Sequence, residues 1–295
     1  MNSIFYEIAK LYAYLYVWIR AITGRNIPGL GFLLRRCKSP RYIDFLDQKL
    51  YFEPTISSNY GLHIINMEQE PESHNLLNEI FDKLGNVKSC FIEVGANIGV
   101  FMVDLARRKN VYIIGFEPSN DCVESIKKSM HKNGRFNFSI HANLVGDRDE
   151  FVPFNEGLNV QGSSIYTSEN SINKIHQIKL DNVKELMTLP DSTPAVLMID
   201  VEGYEPNVLR GGARLIKRLQ PLILFEYNFI SKKYFDIKNI YQILGDSYDI
   251  FRLRDDAMLD SDVDNAWNCL AIPRNTHFEM ILKSRLVIKS ESELK

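Results

Sequence analysis

Three short segments of this 295-residue chain gather residue types that do chemistry. In the first, Phe91-Ile92-Glu93-Val94-Gly95-Ala96-Asn97-Ile98-Gly99, an apolar run of strand length ends in a turn with two glycines. In the second, Ile113-Ile114-Gly115-Phe116 ends in Glu117-Pro118, and in the third, Val196-Leu197-Met198-Ile199 ends in Asp200-Val201-Glu202. Glycine is needed where backbone must turn with positive φ or lie against a ligand, and a carboxylate ending the next strand can accept hydrogen bonds from both hydroxyls of a ribose. The first two segments therefore read as one β-α-β unit with a nucleotide-type cofactor site at its strand ends. A dinucleotide site wants Gly-x-Gly-x-x-Gly, but Asn97 takes the second glycine position and Val100 the third, which disfavours a nicotinamide or flavin oxidoreductase.

Asp200 and Glu202 fall at the carboxyl edge of their strand, where open α/β sheets place ligands. Two carboxylates there can take a proton from an acceptor hydroxyl, orient that hydroxyl, or bind a divalent cation through hard oxygens. The plainer alternative has Asp200 capping the following helix or pairing with Arg210, and Glu205 simply favouring the helix dipole. Glu226, at the end of a later apolar run, is a further candidate. The histidines His63, His74, His131, His141, His176 and His277 show no ligand spacing, and no Gly-x-Ser-x-Gly occurs, so a histidine metal cluster or a hydrolase finds no support.

The elements that must position these residues follow from periodicity. Strands are expected at Cys90 to Val94, Val111 to Glu117, Asn137 to Val145, Ala195 to Val201, Leu222 to Tyr227, Tyr248 to Arg254 and Trp267 to Ile272, with helices at Glu72 to Leu84, Val100 to Lys109, Asn120 to Lys132, Tyr204 to Leu219 and Lys233 to Leu244. Continuous apolar strands are what a parallel sheet buried on both faces requires. The expected fold is a doubly wound, Rossmann-like α/β sheet of seven strands, mostly parallel, with an antiparallel edge where the polar Asp255 to Asn265 connection leaves no room for a crossover helix. Residues 76–295 form this domain. Residues 1–75 form an N-terminal extension with a thin core of its own, including short strands near Lys49 to Glu53 and Leu62 to Asn66.

Composition is ordinary for a folded chain, 45% hydrophobic and 24% charged, and a net charge of -2 supplies no general field for nucleic acid. Cys37, Cys90, Cys122 and Cys269 lack CxxC spacing and read as reduced, structural thiols. Ile4 to Ile22 is interrupted by Glu7, Lys10 and Arg20, too charged to span a bilayer, and it has no secretory layout. Its apolar positions recur at helical spacing with Arg25, Arg35, Arg36 and Lys38 following, which suggests an amphipathic helix packed on the domain, on a second copy, or on a membrane surface. The expected location is cytoplasmic, with peripheral attachment at the inner membrane face as the variant.

Taken together, Glu93 to Gly99, Phe116-Glu117-Pro118, Ile199-Asp200-Val201-Glu202-Gly203-Tyr204-Glu205, Val208-Leu209-Arg210-Gly211-Gly212-Ala213 and Phe225-Glu226 resemble the FkbM-type family of S-adenosylmethionine-dependent methyltransferases of class I. The resemblance spans roughly Glu72 to Asn228. It implies that Gly95, Ala96, Asn97 and Gly99 wrap the methionine part of S-adenosyl-L-methionine, that Glu117, with Pro118 after it, holds the ribose hydroxyls, and that Glu93 stands where the family usually has Asp. In this architecture Asn143 and Gly146-Asp147 belong to an adenine-facing loop, although the same residues also suit an ordinary turn, and Gln161-Gly162-Ser163-Ser164 lies in a loop long enough to serve as a lid or acceptor-binding segment. The implied reaction is O-methylation of a hydroxyl on a sugar, polysaccharide or secondary metabolite, with Asp200 first and Glu202 second in handling the proton. A methyltransferase-like scaffold that binds neither cofactor nor acceptor is the remaining alternative.

Overall fold

The computed structural model describes residues 42–51, 70–154 and 174–287, together with the single positions 11, 15 and 22. A hairpin, β1 (Tyr42–Phe45) and β2 (Gln48–Tyr51), is followed by helix α1 (Pro71–Leu84) and by the alternation β3 (Ser89–Val94), α2 (Val100–Leu105), β4 (Val111–Phe116), α3 (Asn120–Lys132) and β5 (Phe138–His141). Next come β6 (Leu144–Val145), β7 (Glu150–Pro153), β8 (Lys174–Ile178), α4 (Lys184–Met187), β9 (Ala195–Ile199), α5 (Glu205–Gly211), α6 (Ala213–Leu219) and β10 (Leu222–Glu226). The chain closes with α7 (Ile237–Leu244), β11 (Tyr248–Leu253), β12 (Leu259–Asp260), β13 (Asn268–Pro273) and α8 (His277–Leu282).

The main sheet runs β12-β11-β13-β10-β9-β3-β4-β5. Its centre is parallel, β10 on β9, β9 on β3, β3 on β4 and β4 on β5, while β13 and β11 join antiparallel. Every residue of β3, β9 and β10 is buried, which explains why these strands read as unbroken apolar runs rather than alternating ones. One face packs Leu76, Ile80, Phe101, Ile126 and Phe278 against Phe91, Ile113 and Met198; the other packs Val208, Leu215 and Ile240 against Ile92, Ile114 and Leu197. The sheet is thus the doubly wound one expected from the sequence, with an eighth strand added: Leu259, fully buried, draws part of the polar connection onto β11.

The helix expected over Val100 to Lys109 ends at Leu105, and three further elements differ from expectation for local reasons. The strand expected over Asn137 to Val145 breaks at Ala142-Asn143, so β5 stays in the main sheet and β6 leaves for a separate three-stranded sheet of order β6-β8-β7. The helix expected over Tyr204 to Leu219 breaks at Gly211-Gly212, because Gly211 lies so close to Gly146 that a Cβ on it would sit 1.9 Å from that carbonyl oxygen. The helix expected from Lys233 starts only at Ile237, after Asp236 accepts a hydrogen bond from the Lys238 N–H at 2.8 Å.

The β1-β2 hairpin joins the main body, with Phe45 and Leu50 in its core and the Tyr51 N–H donating to Ser129 Oγ at 2.7 Å. The strand expected at Leu62 to Asn66, the loop at Gln161 to Ser164 and most of Ile4 to Ile22 lie outside the described residues; Leu11, Leu15 and Ile22 are helical and exposed. Among the described residues no helix is long and apolar enough to cross a membrane.

Candidate active site

The carboxyl ends of β3, β4, β9 and β10 open into one cavity of about 640 Å³. Strand ends are drawn together by backbone: the Gly95 and Ala96 N–H groups both donate to the Phe116 carbonyl, at 2.9 and 3.0 Å, and the Asp200 N–H donates to the Val94 carbonyl at 3.0 Å. Gly95 has φ 86°, and a Cβ on it would sit 1.9 Å from the Asp200 carbonyl oxygen, so only glycine lets β3 turn this close to the end of β9. Asn97 is left-handed too, at φ 51°, a conformation that asparagine tolerates better than most side chains, which accounts for Asn where a dinucleotide motif has Gly.

Glu117 braces this turn. It is 6% exposed; its Oε2 accepts the Asn97 N–H and its Oε1 accepts the Ser119 N–H, both at 2.8 Å. The carboxylate thereby ties the glycine turn to the start of α3 while its surface faces the cavity. Of the residues singled out in the sequence, Glu93, Gly95, Ala96, Asn97, Glu117, Pro118, Asn143, Asp200 and Glu202 line that cavity together. Gly99 and Asp147 do not. Gly99 turns toward Ile126 of α3, which a Cβ would meet at 2.7 Å, so its glycine serves helix packing; Asp147 pairs with Arg210 at 3.6 Å.

That ion pair also removes the plainer reading of Asp200. Arg210 is engaged elsewhere, and the residue preceding α5 is Tyr204, with no side-chain cap. Glu205 does more than favour a dipole: its Oε1 accepts the Val201 and Gly203 N–H groups at 3.2 and 3.3 Å, which holds the loop carrying Glu202 at φ 54°. Glu226, 8% exposed, accepts from Asn228 Nδ2 at 2.5 Å and from Ser231 Oγ at 3.3 Å.

Glu70 belongs to the same cavity and escaped the sequence reading. It stands in a left-handed turn ahead of α1 and accepts from Asn268 Nδ2 at 2.7 Å and Ser73 Oγ at 3.1 Å. Pro71 at the first helical position marks the helix start, but nothing in the sequence announces a partner on β13. Phe229 and Trp267, both largely exposed, also line the cavity, with ring centroids 6.1 Å apart.

The cavity is strongly acidic. Glu70, Glu72, Glu93, Glu117, Asp200, Glu202, Glu226 and Asp255 line it, and none of the described lining residues is Lys, Arg or His. Burial, then the neighbouring Glu202 charge, pushes Asp200 up to about 7. Burial, then the Asp200 charge, pushes Glu70 up to about 7 and Glu226 to about 11, and holds Glu93 well above the carboxylate range. Burial raises Glu202 and pushes Glu205 to about 8. Such a site favours positively charged ligand groups and keeps a carboxyl near neutrality available for proton transfer.

The family described as the methyltransferase FkbM domain matches residues 93–253, more than half of the chain and the whole span from Glu93 to Glu226. The chain belongs to the FkbM methyltransferase family. A search of curated proteins finds no match. Among solved structures, it is similar to the FkbM methyltransferase of Methylobacillus flagellatus KT, at 18% identity and TM-score 0.43, over 63% of this chain and 43% of that one. It is also similar to a precorrin-6y C5,15-methyltransferase from Geobacter metallireducens, at 13% identity and TM-score 0.36, over 63% of this chain and 82% of that one. A Streptococcus mutans protein described as a methyltransferase, in complex with SAH, shares 10% identity at TM-score 0.37, over 66% of this chain and 94% of that one. The chain thus spans less than half the length of the Methylobacillus protein.

Proposed function

We propose that this FkbM-family chain transfers the methyl group of S-adenosylmethionine to a hydroxyl oxygen on a sugar, polysaccharide or secondary metabolite. The observation that carries the reading is one cavity in which the Gly95-Asn97 turn and buried Glu117 on one side meet Asp200 and Glu202 on the other. The donor set suits that cofactor. Glu117 lines the cavity beside the Gly95-Asn97 turn, and a carboxylate at this strand end is placed to accept hydrogen bonds from a ribose diol. One oxygen of Glu93 is buried without a hydrogen-bond partner, as a receptor for an ammonium group would be.

When bound, the cofactor supplies a methyl carbon activated by its sulfonium. The chain then has to align an acceptor oxygen with that carbon and dispose of a proton, and alignment of this kind contributes several kcal/mol. Val94, Phe101, Phe116 and Met198 give the cavity an apolar wall that excludes water around the reacting atoms. Asp200, held near neutrality, accepts the hydroxyl proton on its carboxylate, and Glu202 beside it sets the local charge. The acceptor enters past Phe229 and Trp267, whose flat faces suit a pyranose ring. The aromatic and basic N-terminal segment fits an acceptor presented at the inner membrane face.

The test is incubation of the full chain with methyl-labelled S-adenosylmethionine and a panel of methyl glycosides, nucleotide sugars and surface polysaccharides. Label is expected in a methyl ether, with one S-adenosylhomocysteine formed per transfer. Asp200→Asn lowers turnover by about 10²- to 10⁴-fold with cofactor affinity little changed. Label on nitrogen or carbon, or turnover of Asp200→Asn equal to wild type, overturns the assignment.

A further inference from the structure

We infer that the amino-terminal edge of β3, β4 and β5, at the opposite end of the sheet from the cavity, is a docking surface for an anionic membrane. The three loops that lead into these strands meet there, and two asparagines stitch them together. Asn110 Nδ2 donates to the Gly85 and Val87 carbonyls at 2.8 and 3.0 Å, and Asn137 Nδ2 donates to the Arg108 and Val111 carbonyls at 3.1 and 2.6 Å. The surface so fixed presents two bare apolar side chains, Val87 at 50% and Phe136 at 75% exposure. Lys88 follows Val87, Arg135 precedes Phe136, and Lys109 precedes Asn110. These three cations form no ion pair and donate no side-chain hydrogen bond among the described residues, and Nε of Arg135 is buried without a partner. The acids on α1 and α2 next to these loops are already matched, Asp82 by Arg108 at 2.5 Å and Asp104 by Arg107 at 3.2 Å.

Protruding apolar side chains flanked by unpaired cations suit a lipid interface. A bilayer takes in such tips one by one while its anionic headgroups meet the cations, whereas a protein partner needs a surface of matched shape. The same chemistry recurs, independently, near the start of the chain. Leu11, Leu15 and Ile22 are helical and 63, 48 and 64% exposed, and these positions fall within about 40° of one another around a helix. Positions 1–41 hold Arg20, Arg25, Arg35, Arg36, Lys38 and Arg41, with Glu7 as their only acid, in a chain whose net charge is -2. Basic charge is thus concentrated where apolar side chains stand free, and two such contacts hold a protein to a membrane where one gives only weak, reversible binding. The attachment does not rest on the methyl transfer proposed above, because the cavity opens at the carboxyl ends of the strands.

The experiment is flotation of the full chain with vesicles of phosphatidylglycerol mixed with phosphatidylcholine, and with vesicles of phosphatidylcholine alone. Binding is expected to the anionic vesicles only, and to weaken at least about tenfold between about 0.1 and about 0.5 M NaCl as the headgroup charge is screened. Lys88→Glu, Lys109→Glu and Phe136→Ser together lower the partition coefficient at least about tenfold. Lys217→Glu with Lys238→Glu, the same charge change on exposed lysines of α6 and α7, leaves it within about twofold. Phe136→Ser alone lowers it about threefold or more, which keeps the test open if the triple variant does not fold. The unfolding midpoint and S-adenosylhomocysteine affinity are expected to be unchanged in both patch variants, and vesicle binding by a chain that takes up no S-adenosylhomocysteine would fault the methyltransferase reading alone. No binding of wild type to anionic vesicles, undiminished binding by the patch variants, or equal loss in the patch and control variants overturns the inference. A dimer that Phe136→Ser converts to monomer, with no lipid binding by wild type, assigns the surface to a second copy and overturns it as well.

Discussion

Replacing Glu117 with Gln separates its two roles and gives a magnitude. The amide keeps the shape and one acceptor oxygen, but its NH₂ faces either the Asn97 or the Ser119 backbone N–H, each now bound at 2.8 Å. One buried N–H loses its acceptor, at a cost of about 1 to 3 kcal/mol. On the cavity side one charge-assisted hydrogen bond to a ribose hydroxyl is lost as well, about 1.5 to 3 kcal/mol. At about 1.4 kcal/mol per tenfold, affinity for S-adenosylhomocysteine should fall by roughly 10- to 100-fold. The thermal midpoint should fall by about 2 to 10 °C. Calorimetric titration and thermal unfolding of the same preparation read both quantities. A dissociation constant within threefold of wild type refutes the placement of the ribose at Glu117, whatever the midpoint does.

Gly95→Ala should lose stability and cofactor binding together, because the new Cβ meets the Asp200 carbonyl at 1.9 Å in a residue at φ 86°. The strained backbone alone costs about 1 to 3 kcal/mol, and an unfolding midpoint equal to wild type would sink the argument. The pH response follows from the raised carboxyls, Glu70 and Asp200 near 7 and Glu205 near 8, against ordinary values of 4.5 and 3.8. The folded state holds protons that the unfolded chain has released, so their contribution is complete below about pH 4 and is lost as pH rises through about 7 to 8. The ligand-free midpoint should therefore decline from pH 5 to 8.5, and the decline should be smaller in Glu205→Gln; identical pH profiles for the two proteins would remove Glu205 from the effect.

Much of the fold was written in local pattern. Helix α3 has the bounds expected of it, since Cys122, Val123, Ile126 and Met130 make one clear buried face. β3, β9 and β10 were legible as continuous apolar runs, because burial on both faces leaves no polar position inside them. Their carboxyl ends hold the cavity, so placing Glu93, Glu117, Asp200 and Glu226 at strand ends was enough to bring them together. What local pattern missed depends on distant partners. Gly99 and Gly95 look alike in sequence, yet one packs on Ile126 and the other on the Asp200 backbone. The break after β5 depends on Leu144 and Val145 pairing with Gln177 and Ile178, and Glu70 reaches the cavity through Asn268 on β13, at the other end of the chain.

Isothermal titration of S-adenosylhomocysteine into the full wild-type chain, followed by NADH into a second sample, tests most directly whether this cavity holds a methyl-donor cofactor. One saturable site per chain for S-adenosylhomocysteine and none for NADH is the expected result. No binding of S-adenosylhomocysteine at millimolar concentration by chain that unfolds cooperatively would contradict it and leave a methyltransferase fold kept as a scaffold, and saturable NADH binding instead would return the cavity to a nicotinamide cofactor.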